Sequence, residues 1–150
     1  YTFALSCKNR NVFIQDDDWV YTEEILKKLD ETNEPLVGCH PRWFYNNEYQ
    51  KQPQNPITVA PILLTRGGLV DTWYLPAVIQ NAKLFWEDYQ NCFNGEDIFM
   101  SRAIARASEQ NEFKFFNEGF KALDMSNPLW EKNDGSRSKI TQEIYEYFNV

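Results

Sequence analysis

The run Asp16-Asp17-Asp18 is the part of this 150-residue sequence best equipped for chemistry, because it follows the apolar stretch Asn11 to Gln15 (NVFIQ) with no spacer. A buried strand delivers whatever comes next to its carboxyl end, the edge where open α/β sheets take their ligands. Three adjacent carboxylates repel one another. Each close contact costs on the order of 4 kcal/mol at an effective dielectric of about 20, so a cation is the natural compensation. Oxygen ligands of this kind suit Mg²⁺ or Mn²⁺, commonly completed by substrate phosphates. The competing reading is an acidic turn whose charges are simply hydrated. A second acidic pair, in Asn94-Gly95-Glu96-Asp97, stands just ahead of a helix-forming stretch, where backbone N–H groups and the helix dipole favour ionised carboxylates. Acids in a first helical turn are ordinary and stabilise by only ~0.3–1 kcal/mol, so the pair draws its meaning from its company. A triplet on a strand, a pair on a helix start and a basic residue late in the chain can converge on one departing diphosphate.

Other reactive side chains make weaker cases. His40, the only histidine, lies in Cys39-His40-Pro41, but neighbours on a strand point to opposite faces and a Cys-His nucleophile pair is not expected. Arg42, among aromatic residues, reads as a stacked and solvated side chain.

The elements that must position these groups follow from pattern. Tyr1 to Arg10 reads as the end of a helix, and Asn11 to Gln15 as a buried strand. Ile25, Leu26 and Leu29 at helical spacing, with Thr22 as N-cap and Glu23 and Glu24 in the first turn, predict a helix over 21–31. Pro35 to Cys39 (PLVGC) is a second short strand, which makes a strand-helix-strand unit and an α/β fold. His40 to Pro56 is polar and aromatic and reads as an exposed excursion. Ile57 to Thr65 is β-branched and apolar but broken by Pro61; Gly67-Gly68 closes it, and Leu69 to Gln80 is predicted helical with a kink at Pro76. Asn94-Gly95 is a turn, Glu96 to Gln110 a helix, and Ser138 to Phe148 a last amphipathic helix with Ile140, Ile144 and Phe148 at four-residue spacing. The length fits one domain, or one large piece of one.

Composition narrows the function classes. A formal charge of −7 leaves no surplus of Lys and Arg for a phosphate backbone, so nucleic acid is not an expected partner. Aromatic residues make up 16 % of the chain, more than a small core needs, so some should line a groove where sugars or bases can stack. Cys7, Cys39 and Cys92 are widely spaced and include no CxxC pair, which suggests neither a zinc cage nor a full disulfide framework. No run approaches the ~18 apolar residues of a membrane span.

Taken in order, these features resemble the exostosin-like glycosyltransferases, family 64. The shared series comprises the Asp-x-Asp (DxD) triplet after an apolar strand, Leu36-Val37-Gly38 followed by Pro41-Arg42 and aromatics, and Leu63-Leu64-Thr65 followed by Gly67. It continues with Asn94-Gly95-Glu96-Asp97-Ile98, Met100 and a basic patch from Arg137 to Lys139. The resemblance implies a GT-A architecture, a mixed sheet flanked by helices, and Mn²⁺- or Mg²⁺-dependent transfer of an N-acetylhexosamine or related sugar. The donor would be a UDP-sugar, the acceptor a carbohydrate or glycoprotein, and the anomeric configuration would be retained. It further implies that Asp18, with Asp16, holds the metal and that Asp16 and Asp17 support ribose and diphosphate. Asn94 and Glu96 would face the donor, Asp97 would lie beneath the reacting carbon, Arg137 would neutralise the diphosphate and Trp130 would stack on the acceptor. The compartment it implies is the endoplasmic reticulum or Golgi lumen, reached through a segment not in this chain.

The sequence departs from the family in three places. Gly95 stands where members often carry a cysteine bridged to the tail, so that disulfide is not expected. The strands that bind the base normally lie far upstream of the triplet, so most of the uridine site is expected outside this chain. The stretch from His40 to Pro56 matches no familiar acceptor loop. Two rival readings stay open. Asp16, Asp18 and Val20 also resemble the strand-end motif of haloacid-dehalogenase-type phosphohydrolases, with Thr65 as the phosphate-binding hydroxyl, and a non-catalytic carbohydrate-binding remnant would keep the aromatic groove alone.

Overall fold

A computed structural model describes residues 6–50, 58–88, 95–123 and 136–149. The readings made for Tyr1–Leu5, Asn94 and Trp130 lie outside the described residues.

The chain is mixed α/β. Strand β1 (Asn11–Ile14) leads through the acidic triplet into β2 (Trp19–Tyr21) and helix α1 (Glu23–Glu31). Thr22 caps α1, its hydroxyl accepting from the Ile25 N–H at 3.4 Å. Next come β3 (Leu36–Gly38), β4 (Pro41–Tyr45), β5 (Glu48–Gln50), β6 (Val59–Ala60) and β7 (Ile62–Leu63). Strand β8 (Gly68–Asp71), helix α2 (Leu75–Asp88), helix α3 (Glu96–Ser108), strands β9 (Phe113–Lys114) and β10 (Phe120–Ala122) and helix α4 (Ser136–Phe148) complete the order.

The organising sheet has the order β1-β8-β3, with β8 antiparallel to both neighbours. The strand-helix-strand unit therefore exists, but its two strands are separated by a third that arrives later in the sequence. Register puts Val12, Val70 and Leu36 in one row and Phe13, Leu69 and Val37 in the next. Because successive side chains alternate in direction, these rows face opposite layers. The first joins the large core with Ile62, Leu75, Phe85, Ile98 and Ile144, whereas the second packs under Ile25 and Leu29 of α1. Packing on both faces explains why β1 reads as an apolar run without alternation.

The same register corrects the reading of Leu69 to Gln80 as a kinked helix. Gly68–Asp71 pairs on both edges as a strand, Thr72–Tyr74 is a 3₁₀ turn capped by Asp71, and only then does α2 begin. Pro76 falls in the first turn of α2, where its missing N–H has no intrahelical partner to lose, so no kink is called for. The exposed excursion is also corrected. His40, Pro41 and Arg42 are buried, and β4 and β5 form a hairpin turned by Asn46 and Asn47 at φ 52° and 61°. Paired positive φ values suit the right-handed twist of a tight hairpin, and Asn is among the few residues that tolerate them.

Pro61 does divide its apolar run, into β6 and β7. These pair with β9 and β4 respectively, so the run serves two small sheets. Helix α3 is buried continuously from Ile98 to Ala105 and packs against β7, α2 and α4. Its start is brought close to α4: a Cβ on Gly95 would fall 2.6 Å from Cγ1 of Ile140. The space a side chain would need there is filled from α4.

Candidate functional site

The antiparallel register sets Ile14, the last residue of β1, opposite Gly68, the first of β8. The acidic triplet consequently emerges beside the turn Thr65–Gly67 that feeds β8. That turn is the hub of the site.

Thr65 is buried and ties the hub to α3, its backbone N–H donating to Oδ1 of Asp97 at 3.0 Å and its hydroxyl donating to the same oxygen. Asp97 is half-buried and fixed, while its neighbour Glu96 is exposed. This contrast comes from helix geometry, since consecutive side chains project about 100° apart and only one can face the turn. Asp16 stands at the other side of the hub. Burial and the negative charges of Asp97, Asp18 and Asp17 raise its pKa above the usual carboxylate value, with Arg66 opposing them. Asp16 is nonetheless exposed to solvent, so this coupling is partly screened. Glu96 is shifted in the same direction by partial desolvation and by Asp97 and Asp16, against a backbone hydrogen bond and the pull of Arg137, and its exposure to solvent screens the effect likewise. The strand-end triplet and the helix-start pair thus share one electrostatic field.

Tyr21 closes the hub from below. Its hydroxyl donates to the carbonyl of Arg66 and lies 2.8 Å from Nε2 of His40. Since the phenol has one proton and the carbonyl takes it, His40 donates through Nε2. His40 is held neutral, with its pKa lowered to about 3 by burial and by the nearby Arg66 and Arg42 guanidinium groups. Gly67 makes this arrangement possible, because a Cβ there would fall 2.7 Å from Cζ of Tyr21. Burial likewise pushes the Cys39 thiol up to about 12, which leaves it an inert part of the core under α1.

Two guanidinium groups act on the carboxylates, Arg66 on Asp16 and Arg137 on Glu96, and Arg42 lies near both of these cations. Arg137, in the first turn of α4, lies 5.8 Å from the Tyr49 ring centroid. Arg42 is buried and donates to the carbonyl of Pro41 at 2.7 Å, while its Nε has no hydrogen-bond partner. Arg66 lies 5.4 Å from the Trp19 ring centroid, and its Nε is also buried without a partner. Nothing in the sequence reading had singled out Arg66. The available signal was a cation set between the apolar run Ile57 to Leu64 and the pair Gly67-Gly68.

Oδ1 of Asp18 is shut off from solvent and accepts no hydrogen bond. Among the described residues, no group of three or more His, Cys, Asp or Glu side chains is arranged to hold a metal ion. Asp17 is exposed in the turn after β1. A separate cavity of about 1030 Å³, lined by Lys8, Arg10, Asp71, Trp73 and Gln80 among others, lies near the start of β1 and contains none of the hub residues.

No family model matches this sequence, and no curated protein matches it significantly. Among the described residues, no helix is long and apolar enough to cross a membrane.

Proposed function

We propose that the protein transfers a sugar, by its resemblance an N-acetylhexosamine, from a UDP-sugar to a carbohydrate or glycoprotein acceptor, with retention of configuration and dependence on Mn²⁺ or Mg²⁺. The observation that carries this reading is the convergence of Asp16, from the end of β1, and Asp97, from the start of α3, on the turn Thr65–Gly67, with Arg66 and Arg137 in the same field. A GT-A arrangement belongs to the proposal; what speaks for it is layering alone, since the β1-β8-β3 sheet, antiparallel throughout, is covered by α1 on one face and by the helical core on the other.

The chemistry demands groups of both signs. As the bond to the diphosphate breaks, negative charge accumulates on the leaving group and positive charge on the anomeric carbon. Asp18 and Asp16 would hold the metal, which would supply positive charge to the diphosphate. Arg137 adds a fixed cation, a charge that needs no rearrangement when the bond breaks. Asp97, restrained through Oδ1 by Thr65, sets a carboxylate in a fixed place to stabilise the developing positive charge. Such restraint matters, because a misplacement of ~1 Å can cost about 10²-fold in rate.

Calorimetric titration with UDP tests the reading, with and without MnCl₂, on the parent and on Asp18→Asn. Binding should require Mn²⁺ in the parent and be lost in the variant. Mn²⁺-independent binding, or Mn²⁺-dependent binding that survives Asp18→Asn, overturns the assignment.

A further inference from the structure

Arg66 is the one cation of the hub whose side chain stands on an aromatic platform beside the acidic triplet. It follows Thr65, whose hydroxyl and N–H hold Asp97, and its own carbonyl is held by the Tyr21 hydroxyl. The backbone on both sides of its Cα is therefore fixed by side chains from other elements. Its guanidinium lies 5.4 Å from the Trp19 ring centroid, within reach of the ring's negative face. Trp19 is itself packed edge-on against His40, with ring centroids 4.3 Å apart, so the platform is not free to swing. Despite the surrounding carboxylates, Arg66 makes no ion pair within 4.0 Å among the described residues. Its Nε is buried and bonds to nothing. Burying a donor without a partner is unfavourable, and such a group calls for an acceptor, which an ordered water or a ligand can supply.

We infer that Arg66, seated on Trp19, is a binding residue for the diphosphate of the nucleotide, acting from the β8 side of the site while Arg137 acts from α4. The inference rests on the proposed function and adds a residue to it. A planar guanidinium presents parallel N–H donors that match phosphate oxygens two at a time, which an ammonium cannot do. The position also suits metal chemistry: a cation held by Asp16 and Asp18 would satisfy the orphaned Asp18 Oδ1, and a phosphate bound with it would offer the orphaned Arg66 Nε an acceptor. Arg42 is a poorer candidate, since it is buried and already donates to the Pro41 carbonyl.

The test measures Kd for inorganic pyrophosphate, UDP and uridine, each with MnCl₂, for the parent, Arg66→Gln and Arg66→Lys, alongside their thermal unfolding. Removing charge-assisted hydrogen bonds should weaken pyrophosphate and UDP by roughly 10- to 100-fold in Arg66→Gln, with uridine unchanged. Arg66→Lys should fall between, because charge returns without the planar fork. Unchanged pyrophosphate and UDP binding in Arg66→Gln overturns the inference and leaves the proposed function standing. If both variants weaken all three ligands equally and unfold at lower temperature, the role of Arg66 is structural and the inference again fails. A parent that binds pyrophosphate through Arg66, yet does not bind UDP, keeps the anion site and refutes the nucleotide-sugar reading. A parent that binds neither anion refutes both.

Discussion

Adding a single methyl group at Gly95 tests the packing that presents Asp97. The residue has φ −113° and ψ 2°, a conformation open to alanine, so backbone strain is not at issue. Space is at issue. The new Cβ would lie 2.6 Å from Cγ1 and 3.2 Å from Cδ1 of Ile140, and 3.3 Å from Cδ1 of Ile144. Carbon pairs prefer about 3.5–4.0 Å. Ile140 is 4 % exposed and Ile144 0 %, so neither can swing into solvent. Overpacking of this kind costs about 1–3 kcal/mol, against a gain of about 0.4–1 kcal/mol from restricting the unfolded chain. With a Cβ contact as short as 2.6 Å the cost falls in the upper part of that range, about 2–3 kcal/mol, so Gly95→Ala should destabilise by roughly 1–2.6 kcal/mol, which at about 2–4 °C per kcal/mol lowers Tm by roughly 2–10 °C. Urea denaturation followed by tryptophan fluorescence reads it directly. Ile140→Ala supplies the control: alone it should cost about 2–5 kcal/mol, but in its presence Gly95→Ala should become neutral or favourable as the methyl enters vacated space. A Gly95→Ala protein at least as stable as the parent, or strict additivity of the two changes, refutes the proposed contact between α3 and α4.

The remaining predictions concern the hub. Asp97→Asn should reduce sugar transfer by orders of magnitude with UDP affinity nearly unchanged, the mark of an interaction made only in the transition state, while Glu96→Gln is milder; the reverse ranking in turnover assays would sink the assignment. His40 has a folded pKa of about 3, below its ordinary 6.5, so its stability contribution is complete above pH ~6.5 and is lost as pH falls through the folded value. Urea denaturation at pH 7 and pH 4 should show the parent losing more stability than His40→Gln, by up to about 3 kcal/mol, and equal losses would show that His40 is not the group that titrates. Tyr21→Phe should destabilise by about 1–3 kcal/mol, because it strands the His40 N–H and the Arg66 carbonyl together; a melting temperature within error of the parent would show that water replaces the phenol.

What the sequence determined by itself was local. The cap at Thr22, the apolar spacing of Ile140, Ile144 and Phe148 and the end of β1 at the acidic triplet are each decided by residues within a turn or two of one another, and periodicity and charge report them directly. The β4–β5 hairpin was legible in principle, since Asn46-Asn47 lies between aromatic runs, but the polar residues around it masked the pairing. Tertiary structure alone decided the rest. Gly68–Asp71 carries no helix or strand signal strong enough to announce itself, and it is a strand because two edges, β1 and β3, need a partner between them. That insertion sets Asp16 beside Arg66 and, through Thr65, beside Asp97. Carboxylates far apart in sequence meet because hydrogen-bond register and core packing, both long-range, leave one place for the turn Thr65–Gly67 to stand; no spacing along the chain encodes that.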